Sequence, residues 1–402
     1  MNPTNLPPHQ TNASIPPITC VEMHTAGEPT RILWSGIPDL KGTLLEQRTQ
    51  AKSQHDAFRR VLMLEPRGHY DMYGAILRPE TELVSAGQAD IGVLFTHNEG
   101  FSTMCGHATL ALGRFLVDAD ESIFPRRRQL KYDASSGMTS LRLHVPCGVV
   151  EVMVPTLPSG KSDPSKPVSF VSVPSFTTGV AVEVELPESH RWPELVGRSS
   201  VTVDIAYGGA YYCIVPAEEL GFSKGLSAIE LQKMDNATRI LKDHLATHPD
   251  LAYLFQDAKT QEPGFLYGIM ITDRKLGHVS APPGTPAWRA QQGVDMEETG
   301  LCFFANQQID RSPTGGCVAA RVALAYAKRE VGVGEKRMYN SLVSRGYKAL
   351  SGFVASVCDA ADDQTVRVLV EGYAYYTGSH TFVVEKEDGL GVDGFSLRDL
   401  PM

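Results

Sequence analysis

Two short segments of the sequence combine residues capable of acid–base chemistry with small residues at a helix start. The first is Met104-Cys105-Gly106-His107, which opens an apolar run that extends to about Val117. Backbone N–H groups at a helix start have no partner within the helix, and the helix dipole favours negative charge there. The segment therefore predicts that Cys105 can act as a thiolate general base, with a buried structural thiol as the alternative.

The second segment is Asp310-Arg311-Ser312-Pro313-Thr314-Gly315-Gly316. Proline in a first helical turn and two glycines suit a loop whose backbone N–H groups approach a carboxylate. Asp310, just upstream, could accept a hydrogen bond from an ammonium group. The alternative is that the segment is a helix-capping turn without a chemical role.

The elements around these segments have the same design in both halves of the sequence. Residues 103–117 and 313–330 are apolar almost all round, which is typical of helices enclosed by a sheet. Each follows a short strand-like run, at residues 91–95 and 301–304. We expect the two helix N-termini to face each other across a cleft.

Length and composition indicate a globular protein with two α/β domains. The chain has 402 residues, 42% of them hydrophobic and 21% charged, which exceeds the usual size of one hydrophobic core. Short runs rich in β-branched residues predict much sheet, and residues 227–247 predict a charged surface helix. Residues 257–298 predict a strand flanked by long loops, and the domain junction is expected between residues 191 and 201.

Several classes of function and location are disfavoured by composition. A net charge of −9 would repel a phosphate backbone, so nucleic acid is not an expected partner. No run approaches the length of a membrane-spanning helix, and residues 1–17 resemble a disordered tail rather than a signal peptide. The seven cysteines include no Cys-x-x-Cys pair, which favours a reducing cytoplasm over disulfides or zinc. Neither a nucleotide loop nor clustered metal ligands are apparent, so no cofactor and no metal are expected.

Four ordered motifs resemble those of the proline racemase family. Two are the helix-start segments described above. The others are the run from Met23 to Pro29, Met-His-Thr-Ala-Gly-Glu-Pro, and the run from Asp204 to Gly209, Asp-Ile-Ala-Tyr-Gly-Gly. The similarity extends from about Cys20 to Arg398.

The resemblance implies an α/β (α+β) fold like that of diaminopimelate epimerase. Two similar domains would each wrap a sheet around a central helix, with the active site in the cleft between them. The expected first domain is residues 18–198, completed by 380–402, and the second is 199–379. The partner would be a small amino-acid substrate, and a homodimer is possible.

Racemases of this family carry a cysteine at both helix starts, but here Thr314 stands at the second. A thiol titrates near pKa 8.5, whereas an aliphatic hydroxyl is too weak an acid to exchange protons usefully at neutral pH. A carbanion formed by Cys105 would then decay by losing a hydroxyl from the neighbouring ring carbon. The resemblance thus implies a lyase that dehydrates trans-3-hydroxy-L-proline to 1-pyrroline-2-carboxylate, with Cys105 and Thr314 as catalytic positions.

The resemblance also implies how the substrate is held. Backbone N–H groups around Gly106, His107, Gly315 and Gly316 would bind its carboxylate. Asp310, with or without His107, would hold the ring nitrogen as a cation, and Phe304 would form part of an apolar wall. His107 and a bound water are both candidates for protonating the departing hydroxyl.

Two other functions stay open at this point. The first is a racemase or epimerase of proline or 4-hydroxyproline that uses Cys317 or a water as its second acid. Cys317 follows Gly316 where the family pattern ends in glycine, so it could crowd the loop or lie inside the helix. The second is a non-catalytic amino-acid-binding protein with the family fold.

Overall fold

The structure is a computed structural model that describes residues 16–256, 264–276, 294, 296–348, 350–361, 364–398 and 400. The predicted N-terminal tail lies almost entirely outside these residues. Most of the loops predicted within residues 257–298 also lie outside them, whereas the strand predicted in that segment is described.

In the described part of the chain, nineteen strands pair into one mixed sheet. The first nine lie in the first half of the chain and are β1 (Ile18–Thr25), β2 (Glu28–Leu33), β3 (Gly74–Arg78), β4 (Ile91–Thr96), β5 (Phe101–Ser102), β6 (Lys131–Asp133), β7 (Met138–Val145), β8 (Gly148–Pro155) and β9 (Val168–Val171). The next nine are β10 (Phe176–Glu185), β11 (Ser200–Tyr207), β12 (Tyr211–Pro216), β13 (Leu266–Asp273), β14 (Met296–Phe304), β15 (Gln308–Ile309), β16 (Arg337–Asn340), β17 (Phe353–Ala360) and β18 (Val366–Gly372). The last strand is β19 (Ala374–Phe382).

The pairing of the first half recurs in the second. One series runs β19-β1-β2-β3-β4-β7-β8-β9. The other runs β10-β11-β12-β13-β14-β16-β17-β18. The parallel pairs are β2–β3 and β4–β7 in one series and β12–β13 and β14–β16 in the other, at matching places. The mixed α/β class is confirmed, but the strands form one sheet rather than two separate ones, because β9 pairs with β18.

Seven helices complete the elements of the described residues. They are α1 (Leu44–Gln54), α2 (Asp56–Met63), α3 (Glu82–Ser85), α4 (Gly106–Asp118), α5 (Leu231–Thr247), α6 (Gly315–Ala327) and α7 (Leu342–Gly346). Short 3-10 helices occupy Arg127–Gln129, Glu188–His190, Pro193–Leu195, Gly225–Ser227 and Pro249–Phe255.

Helices α4 and α6 are the central helices of the two series. Helix α4 packs on β1, β2, β8, β9 and β19, and α6 packs on β10, β11, β12, β17 and β18. Eleven of the thirteen residues are buried in each, so both helices are enclosed by sheet as their apolar composition predicts. Both begin at a glycine, two or three residues after the predicted starts at 103 and 313.

Helix α5 covers the outside of the second series. Its predicted start at Ser227 is wrong, because Ser227 ends a separate 3-10 helix and α5 begins at Leu231. Met234, Ala237, Leu241 and Leu245 are buried at helical spacing against β13, while Lys233, Arg239 and Asp243 are exposed. Among the described residues, every helix is too short or too polar to cross a lipid bilayer.

Candidate active site

The N-termini of α4 and α6 meet at the centre of the molecule. A methyl group added at Gly106 would stand 2.5 Å from Gly315 Cα, and one added at Gly315 would stand 2.8 Å from Gly106 Cα. Only glycine allows this approach, because neither backbone can yield without moving a helix. Cys105 and Thr314, the N-cap residues of the two helices, are thereby brought to one cavity.

All of the predicted site residues line this cavity. They are Cys105, Gly106, His107, Phe304, Asp310, Thr314, Gly315 and Gly316, and Tyr73, Met104, Tyr212 and Tyr267 complete the wall. The free volume is about 10 Å³, which is room for about one water molecule. This space is smaller than a proline ring.

Cys105 is buried beneath the first helix start. Its Sγ accepts a hydrogen bond from the Ala108 N–H at 3.4 Å, so the thiol caps α4. Burial raises the pKa of Cys105 well above its usual value, and the carboxyl groups of Asp310 and Glu28 raise it further, although the Ala108 N–H and Tyr73 lower it. In this structure desolvation opposes the thiolate more strongly than the helix N–H groups favour it, and the role of Cys105 as a base stays a prediction.

His107 is a neutral neighbour of the thiol. Its Nδ1 lies 3.3 Å from Cys105 Sγ, and its backbone carbonyl accepts from Thr25 Oγ1 at 2.9 Å. Burial lowers the pKa of His107 to about 3, against a smaller opposing effect of its hydrogen bond to the Pro29 carbonyl. The imidazole therefore carries one proton at neutral pH and is no counter-charge for the thiol.

Thr314 adopts a conformation that its residue type disfavours. Its φ of 66° and ψ of 82° lie in the left-handed region, where a β-branched residue is an outlier. The Thr314 N–H donates to Ser312 Oγ at 3.1 Å, and the side chain does not cap α6. Thr314 Oγ1 lies near Asp310 and lowers the pKa of that carboxyl group, but it makes no well-formed hydrogen bond.

Asp310 is a buried carboxyl group beside Thr314. Its Oδ1 accepts from the Ser312 N–H at 2.7 Å. Burial raises the pKa of Asp310 to about 6, against the lowering effect of hydrogen bonding from Ser312 and of the nearby Thr314 hydroxyl. The group is mostly ionised at neutral pH and is the nearest negative charge for a cation in the cavity.

A second acid, Glu28, stands behind Asp310 and was missed as a functional residue. Its Oε2 accepts from the Arg311 N–H at 2.8 Å, while Oε1 is buried without a hydrogen bond. Burial, together with Asp310, raises the pKa of Glu28 well above its usual value. Asp71 binds the Arg311 guanidinium at 2.8 Å, so the first half of the chain holds the loop of the second. The motif from Met23 to Pro29 contains Glu28, but its contact with Arg311 spans 283 positions and left no sequence signal.

Three tyrosines were also missed. Tyr73, Tyr212 and Tyr267 come from different strands or their ends, and nothing in their spacing predicts a common cavity. Burial raises the pKa of each phenol well above its usual value, so all three are neutral at physiological pH. Tyr73 Oη lies 2.5 Å from Ser102 Oγ, and the Phe304 ring packs 5.5 Å from Tyr267 and 6.1 Å from Tyr73.

Cys317 lies inside helix α6 rather than in the loop. It is fully buried in the hydrophobic core, and burial raises its pKa. It does not line the cavity in the described part of the chain. This placement removes the support for Cys317 as a second acid. Over the same described residues, no cluster of three or more His, Cys, Asp or Glu side chains could hold a metal ion.

Comparison with known proteins supplies the family. The proline racemase family model matches residues 20–396. The trans-L-3-hydroxyproline dehydratase of Pongo abelii is 39% identical over 398 residues, covering 98% of both chains. The trans-3-hydroxy-L-proline dehydratase of Homo sapiens is 38% identical with the same coverage.

A solved structure has the same fold over nearly the whole chain. It is a hydroxyproline epimerase of Agrobacterium vitis with bound trans-4-hydroxy-L-proline, at a TM-score of 0.70 and 20% identity. The match covers 96% of this chain and 97% of that one. With two abutting helix starts, a family match over most of the sequence and relatives of nearly equal length, the chain belongs to the proline racemase family.

Proposed function

We propose that this chain is a lyase that dehydrates trans-3-hydroxy-L-proline to 1-pyrroline-2-carboxylate and water. The observation that carries the proposal is the pairing of Cys105 with Thr314, rather than with a second thiol, at one cavity. The names of the relatives from Pongo abelii and Homo sapiens support the same reaction. The reaction is redox-neutral, so the atoms balance without a cofactor.

The difference in acidity between the two N-cap side chains selects dehydration over inversion. Inversion needs an acid on the face opposite the base, and the Thr314 hydroxyl is far too weak an acid for that task at neutral pH. Cys317, the other thiol of this helix start, faces the core. A carbanion formed at Cα therefore goes on to product only by expelling the hydroxyl at C3.

The cavity offers complementary groups for a zwitterionic amino acid. The free N–H groups at the starts of α4 and α6 suit the carboxylate, and their position also stabilises the charge that develops as Cα loses its proton. Asp310 would pair with the ring ammonium, and the rings of Phe304 and Tyr267 would cover the apolar carbons.

Substrate binding would also remove part of the cost of forming the Cys105 thiolate, of which burial is the largest cause. Asp310 and Glu28 contribute negative charge that raises the pKa of Cys105. A bound ammonium next to Asp310 offsets that charge, which lowers the cost of forming the thiolate. Cys105 then takes the α-proton, the C3–O bond breaks, and the enamine tautomerises to the imine.

The repeated strand order supports two epimerase-like domains around this site. The first would comprise β1–β9 with β19, and the second β10–β18. This division differs from the predicted 18–198 with 380–402 and 199–379, because β10 pairs with β11 and β19 begins at Ala374. Since the cavity is smaller than the substrate, the domains would separate to admit it.

A product assay across the hydroxyproline isomers tests the proposal. The purified chain should convert trans-3-hydroxy-L-proline to an imine that borohydride reduces to proline. In deuterium oxide, L-proline and trans-4-hydroxy-L-proline should not give α-deuterated products of inverted configuration. Rapid inversion of either compound, with trans-3-hydroxy-L-proline untouched, would contradict a dehydratase. Ligand binding without any product would instead indicate a non-catalytic member of the family.

A further inference from the structure

The stereochemistry of the proposed substrate restricts where the proton for its leaving group comes from, and this inference rests on the proposed function. In trans-3-hydroxy-L-proline the C3 hydroxyl and the C2 carboxylate lie on opposite faces of the ring. The α-hydrogen, opposite the carboxylate, therefore shares a face with the hydroxyl. A base that removes this hydrogen also faces the departing oxygen. The donor must stand on the Cys105 side of the cavity, away from Thr314.

His107 stands on that side but is poorly suited to donate. A neutral imidazole carries one N–H. Both ring nitrogens lie near Cys105 Sγ, Nδ1 at 3.3 Å and Nε2 at 3.6 Å, and the Pro29 carbonyl competes for the single N–H. A second proton is costly because the ring is buried.

Tyr73 meets the requirements of the donor. It immediately precedes β3, in the same half of the chain as Cys105, and is 1% exposed. Its ring packs edge-on against His107 with centroids 4.7 Å apart, and its hydroxyl pairs with Ser102 Oγ at 2.5 Å. The side chains of Tyr73 and Cys105 line the same cavity, and Tyr73 lowers the pKa of the Cys105 thiol. We propose that Tyr73 is the general acid that protonates the C3 hydroxyl as it leaves.

The proton balance of this step closes within the site. The Cys105 thiolate takes the α-proton, and the electron pair of that C–H bond forms the C2–C3 double bond. The C3–O bond breaks, and the leaving oxygen takes the Tyr73 proton and departs as water. The Cys105 thiol then returns its proton to the Tyr73 phenolate within the cavity that both side chains line, which restores both groups.

A leaving group that needs no proton separates this role from a structural one. Fluoride is a far weaker base than hydroxide, so trans-3-fluoro-L-proline can eliminate without a general acid. Tyr73→Phe should lower the rate of dehydration about 100- to 10,000-fold, the usual contribution of a positioned acid. It should lower the rate of fluoride release less than about tenfold. Ser102→Ala retains the phenol but removes its hydrogen-bond partner. It should also lower the rate of dehydration more than the rate of fluoride release, by a smaller factor than Tyr73→Phe.

Tyr267→Phe is the matched control, because Tyr267 reaches the same cavity from β13 and is also buried. It should change the two rates by equal factors. If Tyr73→Phe slows both reactions equally, or if Tyr267→Phe shows the selective loss, Tyr73 is not the acid. If the unmodified chain does not dehydrate trans-3-hydroxy-L-proline, the proposed function itself fails. Normal dehydration by Tyr73→Phe overturns only the assignment of the acid.

Discussion

The two helix starts are alike in backbone position and unlike in side-chain chemistry. Each opens a buried helix of thirteen residues at a glycine, and the two glycines touch. At α4, Cys105 has extended backbone angles and caps the helix through its sulfur. At α6, Thr314 has a left-handed backbone and its side chain does not cap the helix, although threonine is among the good N-cap residues.

This difference shows that Thr314 is not placed there to stabilise its helix. A left-handed threonine costs of order 1–3 kcal/mol, and such strain concentrates at functional sites. Its hydroxyl also forgoes a well-formed hydrogen bond. In the proposed function, the second helix start therefore presents to the cavity a hydroxyl that is too weak an acid to serve as a second proton donor. The duplicated fold supplies two equivalent places, and the chemistry follows from which residues occupy them.

Cys105→Ser would test the chemical difference between the two helix starts, and we expect it to have the largest effect of the variants proposed. Serine is a good N-cap residue, so the free energy of unfolding should change little. A serine hydroxyl is a poor base, so dehydration should fall about 1,000-fold or more. Product formation and urea denaturation of the same preparation check both statements. An active Cys105→Ser enzyme would contradict the role of the thiol as base.

Gly315→Ala would test whether the close approach of the two helix starts matters for activity. Its methyl group would stand 2.8 Å from Gly106 Cα, so the helix starts must separate. Such overpacking costs about 1–3 kcal/mol, and a displacement near 1 Å in a site costs about 100-fold in rate. Gly389→Ala is the control, because a methyl there meets nothing within 4 Å. Equal activity in both variants would mean that the close approach does not matter for function.

The helix starts could be predicted from the sequence because their signals are local. At each helix start, the glycines and the apolar run lie in one short segment of the sequence, and the second segment also contains the proline. All eight predicted site residues reach one cavity. The conformation of Thr314 and the raised pKa of Cys105 could not be predicted. Both depend on the packing of the other half of the chain, and burial reverses the effect expected from the helix dipole alone.

The missed residues are those whose partners are distant in sequence. Glu28 meets Arg311, and Tyr73 meets Ser102 and His107, through strand pairing that no local pattern specifies. Strand β10 falls in the predicted first half because the predicted junction between residues 191 and 201 follows it. Its register with β11 became visible only in the folded chain.

Thr314→Cys would remove the chemical difference between the helix starts. With a thiol at each, an α-proton taken by Cys105 can be replaced from the opposite face. The variant should therefore acquire α-deuterium with inversion when L-proline is incubated in deuterium oxide, while Thr314→Ser should not. Dehydration should persist at a reduced rate, because Cys105 is unchanged. If Thr314→Cys is well folded but gives no inversion, the two side chains do not face one substrate carbon.

Asp310→Asn would test the charge beside the second helix start, and among the variants proposed we expect it to have the smallest effect on the reaction. The pKa of Asp310 is about 6 in the fold against 3.8 for an unperturbed aspartate, so the folded state binds this proton more tightly than the unfolded state. Stability is therefore lost as pH rises from about 4 through 6, by about 3 kcal/mol in total. Asparagine stays neutral and can still accept from the Ser312 N–H. The urea midpoint of Asp310→Asn should exceed that of the parent at pH 7.5, and the two should converge at pH 4.

The same variant should bind an amino-acid substrate more weakly, because the ring ammonium loses its counter-charge. Asp133→Asn provides a control of opposite sign. Asp133 is exposed, and hydrogen bonds from Ser135 and Ser136 lower its pKa to about 2, so its ionised form favours the folded state. That variant should gain no stability at pH 7.5 and should leave KM unchanged. A higher urea midpoint without a change in KM for Asp310→Asn would assign Asp310 to the loop alone, and the ammonium would need another partner.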